Sequence, residues 1–223
     1  VETIKRVLGP QIGGLTIESV TVIRSEVIAH PAPAEFCEAL AGQEILGMKR
    51  RGKFLQIPLG NGDVVILHLR MTGCLLITPA DWPKEKHTHV IFALSDGREL
   101  RFSDMRRFGR FWLLRSGEAD TYTGIDRLGL EPFDKRLTPE YLQQKLGRRK
   151  MSIKGCLLDQ NVISGIGNIY ADEILFTAKL RPDRPANGLT AAEWVRLCIA
   201  IPERLAYFIE KNAISPEDYL QRR

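Results

Sequence analysis

The sequence predicts an α+β protein with two lobes, an N-terminal antiparallel β-sandwich and a C-terminal helical domain. Residues from about 16 to 115 contain short runs of β-branched, aromatic and leucine side chains, and Asn61-Gly62 and Asp96-Gly97 are hairpin signals between such runs. Successive hairpins without intervening helices are typical of an antiparallel sandwich or barrel. Beyond residue 133 the apolar residues recur at helical spacing. We therefore predict a sandwich domain at 1–115, a linker at 116–133 and a helical domain at 134–223.

The composition narrows the class of protein. Hydrophobic residues make up 44% of the 223 residues, and no apolar run approaches the length of a membrane span. No signal peptide is visible, so we predict a cytoplasmic protein. We also predict a monomer without a membrane partner. The formal charge of +5 suits a polyanionic partner, although many globular proteins of this charge bind none.

The cysteines and histidines do not predict a metal site. Cys37, Cys74, Cys156 and Cys198 are widely spaced and form no C-x-x-C pair, which argues against a zinc ribbon or a redox motif. The His-x-His sequence at residues 87–89 offers two ligands without a third nearby. We predict reduced thiols and no metal.

Local signals place the main elements. Val1, Ile4 and Leu8 predict a first helix that ends at Gly9-Pro10, and a second helix is predicted near Ala34–Ala41. The predicted strands are Thr16–Arg24, Lys53–Leu59, Val64–Leu69, Met71–Ile77, His89–Leu94, Glu99–Phe102 and Phe111–Leu114.

The second half carries helix signals. Thr138-Pro139-Glu140 combines an N-cap, a first-turn proline and a first-turn acid. The segment Thr190–Asn212 is predicted to be a long amphipathic helix that bends or restarts at Pro202.

A glycine-marked stretch, Gly165-Ile166-Gly167-Asn168, leads into a helix and is the first candidate site. Asn168 is a good N-cap, and the free amides at a helix start attract an anion such as a phosphate. The alternative is an ordinary tight turn between packed helices.

In the helix that follows, Ile169, Phe176 and Leu180 recur at helical spacing and are predicted to face the core. Glu173 falls on the same stripe, where a carboxylate is costly unless it is paired or used. The alternative is a glutamate at the helix edge whose head reaches water.

Lys53 begins a predicted strand on the same face as Leu55 and Ile57. Partial burial there lowers the pKa of a lysine toward the range in which its amine can act in catalysis. The alternative is a strand-end lysine whose ammonium reaches water, and a solvated charge cluster is the simpler interpretation of the neighbouring Lys49-Arg50-Arg51.

The polar, cationic loop at residues 103–109 carries Arg106 and Phe108, and an exposed phenylalanine can wedge between bases. The alternative is a β-turn with Phe108 tucked into the sandwich. On its pattern alone, Met71 is predicted to be a core residue.

The run DQNVISGIGNIYADEILF, preceded by SIKGCLL, resembles the helix–two-turn–helix segment of the formamidopyrimidine-DNA glycosylases, the Fpg/Nei family. The resemblance extends over nearly the whole chain. It implies a base-excision-repair glycosylase and AP lyase that removes oxidised purines, such as 8-oxoguanine and formamidopyrimidines, from double-stranded DNA. The pair of motifs MTG and RRFG favours the formamidopyrimidine branch over endonuclease VIII relatives, which act on oxidised pyrimidines.

The resemblance also implies residue roles. Lys53 contacts the phosphate and sugar of the lesion and assists elimination. Met71 and Phe108 fill the space left by the extruded base, and Arg106 pairs with the orphaned partner. His87 contacts DNA.

Roles in the second half are implied in the same way. Arg149 and Asn168 contact phosphates, and Lys154 and Glu173 support the active-site cleft. The bland interpretation of Arg149 and Lys154 is solubilising surface.

The family's nucleophile is the amine of an N-terminal proline, and the glutamate after it is an acid/base. Both match positions before Val1, so neither role is carried onto Val1 or Glu2. The family also has a C-terminal zinc finger, and no such element precedes Arg223. We therefore predict no cofactor in this chain and poor covalent trapping by it. A non-catalytic DNA-binding protein is the alternative if these ends are absent in the cell.

Overall fold

The computed structural model describes residues 1–221, and the side chains through residue 219. Two compact units are found. The first contains Val1–Gly124 and the segment that starts at Ile214, and the second contains Ile125–Ala213. The predicted α+β class is confirmed, because the first unit holds two sheets and the second is helical. The boundaries at residues 115 and 133 stay a prediction.

The first unit is a sandwich of two sheets. One sheet has the strand order β1-β7-β8-β6 and the other has the order β2-β9-β5-β4-β3. The strands are β1 Ile17–Val22, β2 Ile28–His30, β3 Lys49–Arg51, β4 Phe54–Pro58, β5 Val64–His68, β6 Gly73–Pro79, β7 Thr88–Leu94, β8 Arg98–Asp104 and β9 Arg110–Leu114. Both hairpin predictions are confirmed, since β4 pairs with β5 and β7 pairs with β8 in antiparallel fashion.

Aromatic rings join the inner faces of the two sheets. The Phe111 ring of one sheet lies 5.1 Å from the Phe102 ring and 5.9 Å from the Phe92 ring of the other, measured between centroids. All three side chains are buried. Full burial of each such ring contributes roughly 1.5–3 kcal/mol relative to an exposed one, so this contact helps to hold the two sheets together.

The sequence predicted an antiparallel sandwich, but one pair of its strands is parallel. The short strand β2 pairs with β9 in parallel fashion. A parallel pair needs a long connection between its strands, and most of the unit's chain separates these two.

Helix α1, Glu2–Ile12, continues through Gly9-Pro10, so the predicted end at that dipeptide is wrong. A proline inside a helix costs about 3 kcal/mol. Burial of Leu8 and Ile12 on the same helix offsets that cost. The other helix of the sequence-predicted pair is α2, Pro33–Leu40, which confirms the helix expected near Ala34–Ala41.

The second unit packs its helices around Trp194, Leu197 and Ile201, all of which are buried. The helices are α3 Pro139–Leu146, α4 Ile153–Leu157, α5 Asn168–Thr177 and α6 Ala191–Lys211. The predicted cap at Thr138 is confirmed, because its side chain accepts a hydrogen bond from the Tyr141 amide at 3.2 Å.

Helix α6 runs without a break past Pro202, so it does not restart there, and the predicted bend stays a prediction. Thr190 and Glu193 form a capping box at its start. The last helix, α7 Pro216–Gln221, belongs to the first unit, where the Tyr219 hydroxyl donates to the Leu75 carbonyl at 3.1 Å. Within residues 1–221, no helix combines the length and apolar character needed to cross a bilayer.

Candidate nucleic-acid interface

Met71 lies in a tight turn between β5 and β6 rather than in a strand. The Gly73 amide donates to the Leu69 carbonyl at 3.0 Å, which closes the turn. Arg70 within it has φ 54°, a left-handed conformation that is uncommon for a residue other than glycine. The Met71 side chain is 72% exposed, so its pattern-based prediction as a core residue is wrong. Alternation along a strand cannot show where the sheet ladder stops, and β6 begins only at Gly73.

Phe108 lies in the loop between β8 and β9 and is 46% exposed, which rules out the alternative that it is tucked into the sandwich. Arg107 beside it has φ 56°. Gly109 is required by a close approach. A Cβ atom there would lie 2.4 Å from Cζ of Phe102 and 3.2 Å from a carboxylate oxygen of Asp104. The loop is therefore held tightly at its base while its tip is open to solvent.

The two turns bring three predicted contact residues together. The Arg106 Nη1 donates to the Met71 Sδ at 3.0 Å, and the Arg106 guanidinium lies 4.7 Å from the centre of the Phe108 ring. We call Met71, Arg106 and Phe108 the wedge cluster. It offers two apolar side chains that can enter a base step and a guanidinium that can bond a base edge.

Lys53 lies beside this cluster, in the Gly52-Lys53 turn that joins β3 to β4. The prediction that it begins a strand is therefore wrong. Glycine at the first position of a two-residue hairpin loop explains why the strand starts one residue later. Desolvation lowers the pKa of Lys53, as the sequence suggested. An open cavity of about 560 Å³ is lined by Lys53, His68, Arg70, Met71, Phe108 and Arg110.

His68 lines that cavity but was not identified from the sequence. Burial, together with the charges of Arg70 and Lys53, lowers the pKa of His68 to about 4, so the ring is neutral at pH 7. The His68 Nδ1 accepts from the Arg70 amide at 3.0 Å. The proton of the neutral ring is therefore on Nε2, which is a hydrogen-bond donor. A polar residue at the end of the apolar run VVILHL was the available signal.

His87 is half-buried just before β7 and does not line this cavity. Its carbonyl accepts from the Asp104 amide at 3.0 Å, which ties it to the loop of the wedge cluster through the backbone. Its predicted DNA contact stays a prediction.

In the second unit, residues 159–167 form the two-turn segment between α4 and α5. The Ala171 amide donates to the Gly167 carbonyl at 2.8 Å, so Gly167 is the N-cap residue and Asn168 is the first residue of α5. The predicted capping role of Asn168 is therefore wrong. Its side chain is exposed and makes no hydrogen bond within the described residues. The amides of the first turn of a helix lack partners inside that helix. The predicted anion site at these amides of α5 stays a prediction.

Gln160 holds the two-turn segment from inside. Its Oε1 accepts from the Gly165 amide at 2.9 Å, and its Nε2 donates to the carbonyls of Leu158 and Ile166 at 3.0 and 2.9 Å. The Gly129 amide donates to the Gln160 carbonyl at 2.8 Å. One side chain and one neighbouring strand-like segment thus fix the turn that precedes Asn168.

The predicted core face of α5 is wrong for two of its three residues. Ile169 is 74% exposed and Phe176 is 84% exposed, whereas Leu180 beyond the helix is buried. The buried face is formed instead by Ala171, Ile174 and Leu175. This helix has apolar residues on both sides, so its sequence spacing did not identify the side that packs.

The other predicted residues of this unit each have an oppositely charged partner. The Glu173 carboxylate, partly exposed, accepts from Arg204 Nη2 at 3.4 Å. The guanidinium of Arg204 also lies 4.5 Å from the centre of the Tyr207 ring. Glu173 is thus paired, but the stripe that it shares with Ile169 and Phe176 is exposed, so it is not a carboxylate inside the core.

Two predicted cationic contacts are also paired within this unit. Arg149 Nη1 donates to Asp159 at 2.7 Å, and the Lys154 ammonium donates to Asp172 at 2.8 Å. Both cations are only partly exposed, so neither is merely a solvated charge. Among the described residues, no group of three His, Cys, Asp or Glu side chains is placed to hold a metal ion.

Comparisons with known proteins agree with this arrangement. Residues 1–111 match the family described as the formamidopyrimidine-DNA glycosylase N-terminal domain, and residues 128–218 match the formamidopyrimidine-DNA glycosylase H2TH domain. The chain is 47% identical over 220 residues to the formamidopyrimidine-DNA glycosylase of Carboxydothermus hydrogenoformans. It is 44% identical over 220 residues to that of Pelotomaculum thermopropionicum. Each alignment covers 99% of this chain and 80% of the relative.

Solved structures show the same likeness. The Lactococcus lactis formamidopyrimidine-DNA glycosylase bound non-covalently to DNA with an AP site has a TM-score of 0.88 and 31% identity, over 94% of this chain and 80% of that one. The same enzyme in complex with DNA containing FAPY-dG also has a TM-score of 0.88 and 31% identity, over 94% and 78% of the two chains. Two domain matches, long alignments and a shared fold lead to one conclusion: this chain belongs to the formamidopyrimidine-DNA glycosylase family.

Proposed function

We propose that this protein is a base-excision-repair DNA glycosylase and AP lyase that removes oxidised purines from double-stranded DNA. The wedge cluster is the observation that carries the proposal. Exposed apolar side chains are unfavourable in water, yet Met71 and Phe108 are held out by turns whose residues adopt uncommon conformations. Family membership and the names of the relatives support the same function.

In this proposal, Met71 and Phe108 enter the stack when the damaged nucleotide is flipped out. Arg106 replaces the lost pairing partner through its guanidinium donors. Its position against both other side chains means that one movement of the duplex meets all three residues.

Lys53 and Asn168 are proposed to hold the DNA backbone. The cavity beside Lys53 also presents Arg70, Arg110 and the His68 donor, which suit the phosphate and sugar of an extruded nucleotide. In the second unit, the Asn168 side chain and the first amides of α5 suit a phosphate. Arg149 and Lys154 are proposed to add cationic contacts, with His87 as a further DNA contact and Glu173 as a supporting carboxylate.

The chemistry follows the family resemblance. An N-terminal proline amine attacks the anomeric carbon of the sugar, the glycosidic bond breaks, and the base leaves with its bonding electron pair and gains a proton. The Schiff base that results allows β- and δ-elimination at the abasic site. We assign no nucleophilic role to Val1 or Glu2. We further propose that the protein acts in the cytoplasm and as a monomer.

The test is excision and trapping by the protein expressed from its native gene. Duplexes would carry 8-oxoguanine, a formamidopyrimidine, thymine glycol or no lesion, and borohydride would be added to reduce any Schiff base. Release of the oxidised purines with a covalent adduct is expected. Release of the oxidised pyrimidine alone would favour an endonuclease VIII-like enzyme. Tight binding without release or adduct would favour a non-catalytic DNA-binding protein.

A further inference from the structure

Asp104 lies at the base of both turns of the wedge cluster, and it is 1% exposed. Its Oδ1 accepts from the Thr72 hydroxyl and from the Arg106 amide, the latter at 3.2 Å. Its Oδ2 accepts from the Gly109 amide at 2.8 Å. One carboxylate therefore joins the turn that contains Met71 to the loop that follows β8.

Thr72 completes this connection. Its hydroxyl donates to Asp104 and accepts from the Arg106 amide at 3.2 Å, so it uses both of its hydrogen-bonding capacities. Thr72 and Asp104 are 32 positions apart in the sequence. The contact between the Met71 turn and the Arg106 loop is therefore supported at the base of the two turns, by the partly buried Thr72 hydroxyl and the carboxylate of the buried Asp104.

The backbone of Asp104 is itself held in place. Its amide donates to the His87 carbonyl at 3.0 Å, and its carbonyl accepts from the buried His89 Nε2 at 2.7 Å. Because a carbonyl can only accept, the His89 ring carries its proton on Nε2. The backbone of Asp104, the last residue of β8, is thus anchored to the start of β7.

The turns need such support. Arg70 and Arg107 both adopt left-handed conformations, which are unfavourable for residues with a Cβ atom and persist only where the surrounding structure holds them. Each of them is next to a residue of the wedge cluster. Without a fixed base, both turns would relax to commoner conformations and move Met71 and Phe108.

Asp104 remains ionised near neutral pH. Burial alone raises the pKa of its carboxyl, but the hydrogen bonds from Thr72 and from the Gly109 and Arg106 amides outweigh burial and lower the pKa below its usual value. An ionised carboxylate only accepts hydrogen bonds, and charge-assisted bonds are stronger than neutral ones. The Asp104 carboxyl is thus in the ionised state that these hydrogen bonds require.

We propose that Asp104 and Thr72 are positioning residues that hold the wedge cluster in its inserting geometry before DNA binds. The inference rests on the proposed function, because it concerns how the protein recognises a damaged duplex. Neither residue needs to touch DNA. Binding affinity is gained because the turns are already ordered when the duplex arrives.

The variants are chosen to separate positioning from stability. Thr72→Val removes the hydroxyl and keeps the shape, Thr72→Ser keeps the hydroxyl, and Asp104→Asn removes the charge. Asp63→Asn is the matched control. Asp63 is also buried and also organises a turn, where it accepts from Arg115 at 3.1 Å and from the Ser116 amide at 2.9 Å, away from the wedge cluster.

Three readouts are made on each full-length variant. The first is affinity for a duplex with a tetrahydrofuran abasic analogue and for the undamaged duplex. The second is the fluorescence of 2-aminopurine placed opposite the analogue, which reports insertion beside it. The third is hydrogen exchange of the Arg106 and Gly109 amides in the free protein, with core amides as a check on folding.

In Thr72→Val and Asp104→Asn, we expect the ratio of affinities for the abasic and undamaged duplexes to fall by about tenfold. This is the value of one such hydrogen bond. Binding to the undamaged duplex should be unchanged, the 2-aminopurine signal should fall, and the Arg106 and Gly109 amides should exchange faster. Thr72→Ser should restore all three readouts. Asp63→Asn should alter none of them.

Two results would overturn the inference: a folded Thr72→Val protein with full preference and slow exchange at Gly109, or an equal loss of preference in Asp63→Asn. If the wild-type protein does not prefer the damaged duplex, the proposed function fails instead. The exchange measurement in free protein still decides in that case whether Asp104 and Thr72 order the turns.

Discussion

The wedge cluster and the two-turn segment differ in what they present and in how they are held. The wedge cluster presents side chains from turns that contain left-handed arginines, and an ionised carboxylate joins those turns. The two-turn segment presents backbone amides, and the neutral side chain of Gln160 holds it. The difference matches two kinds of contact with nucleic acid, since side chains read the bases whereas backbone amides hold phosphates. It teaches that the turns of the wedge cluster, whose residues adopt uncommon conformations, are held by a buried side chain at their base.

The largest loss of stability is expected from Gly129→Ala, because Gly129 packs against the backbone of the two-turn segment. A Cβ atom at Gly129 would lie 2.2 Å from the Val162 carbonyl oxygen and 2.3 Å from its carbon. Because both are backbone atoms, the segment must move, and we expect the free energy of unfolding to fall by about 3 kcal/mol or more. Urea unfolding measures it. Gly188→Ala is the control, since nothing lies within 4 Å of a Cβ atom there, and equal losses in both variants would contradict the close-packing argument.

Arg106→Ala tests whether the wedge cluster reads the damaged site. Loss of the guanidinium should lower affinity for a duplex with an abasic analogue by roughly tenfold to a hundredfold, the value of a bidentate arginine–base contact. Lys84→Ala is the control, because this exposed lysine has the same charge and lies in the loop before β7. Fluorescence anisotropy at fixed salt measures both. A similar loss in the two variants would mean that Arg106 contributes only charge.

Gln160→Glu sharpens the contrast between a neutral and an ionised support. A carboxylate at this position cannot donate to the Leu158 and Ile166 carbonyls and would repel them. We expect the free energy of unfolding to fall by about 1–3 kcal/mol at neutral pH, with weaker binding to undamaged DNA. Thermal unfolding between pH 4 and pH 8 measures the first effect. Gln144→Glu, on the exposed side of α3, makes the same charge change and should cost little.

The smallest effect concerns His68 beside the wedge cluster. Its folded pKa of about 4 lies below the ordinary 6.5, so between these values the unfolded chain binds more protons than the folded one. His68 therefore makes stability rise as the pH increases from about 4 to 6.5, and it adds no dependence above that. NMR titration of the ring should show no transition between pH 5.5 and pH 8. A midpoint near 6.5 would show that the ring is not desolvated.

Much of the fold could be predicted because local preferences and local contacts agree. The hairpins at Asn61-Gly62 and Asp96-Gly97, the cap at Thr138 and the exposed loop around Phe108 all depend on neighbouring residues. Ile169 and Phe176 show the limit, because an apolar residue at helical spacing predicts burial only if a partner covers that side of the helix.

The sequence by itself determined the α+β class, seven of the nine strands described, and the position of the glycine-marked segment before α5, but it did not predict the short strands β2 and β3. The tertiary structure alone decided that Met71 is exposed, that Gly167 rather than Asn168 caps α5, and that Asp104 supports the wedge cluster. The physical reason is range. Backbone preference and periodicity act over a few residues, whereas the contact between Thr72 and Asp104 exists only after β6 has paired with β8 and brought two distant turns together.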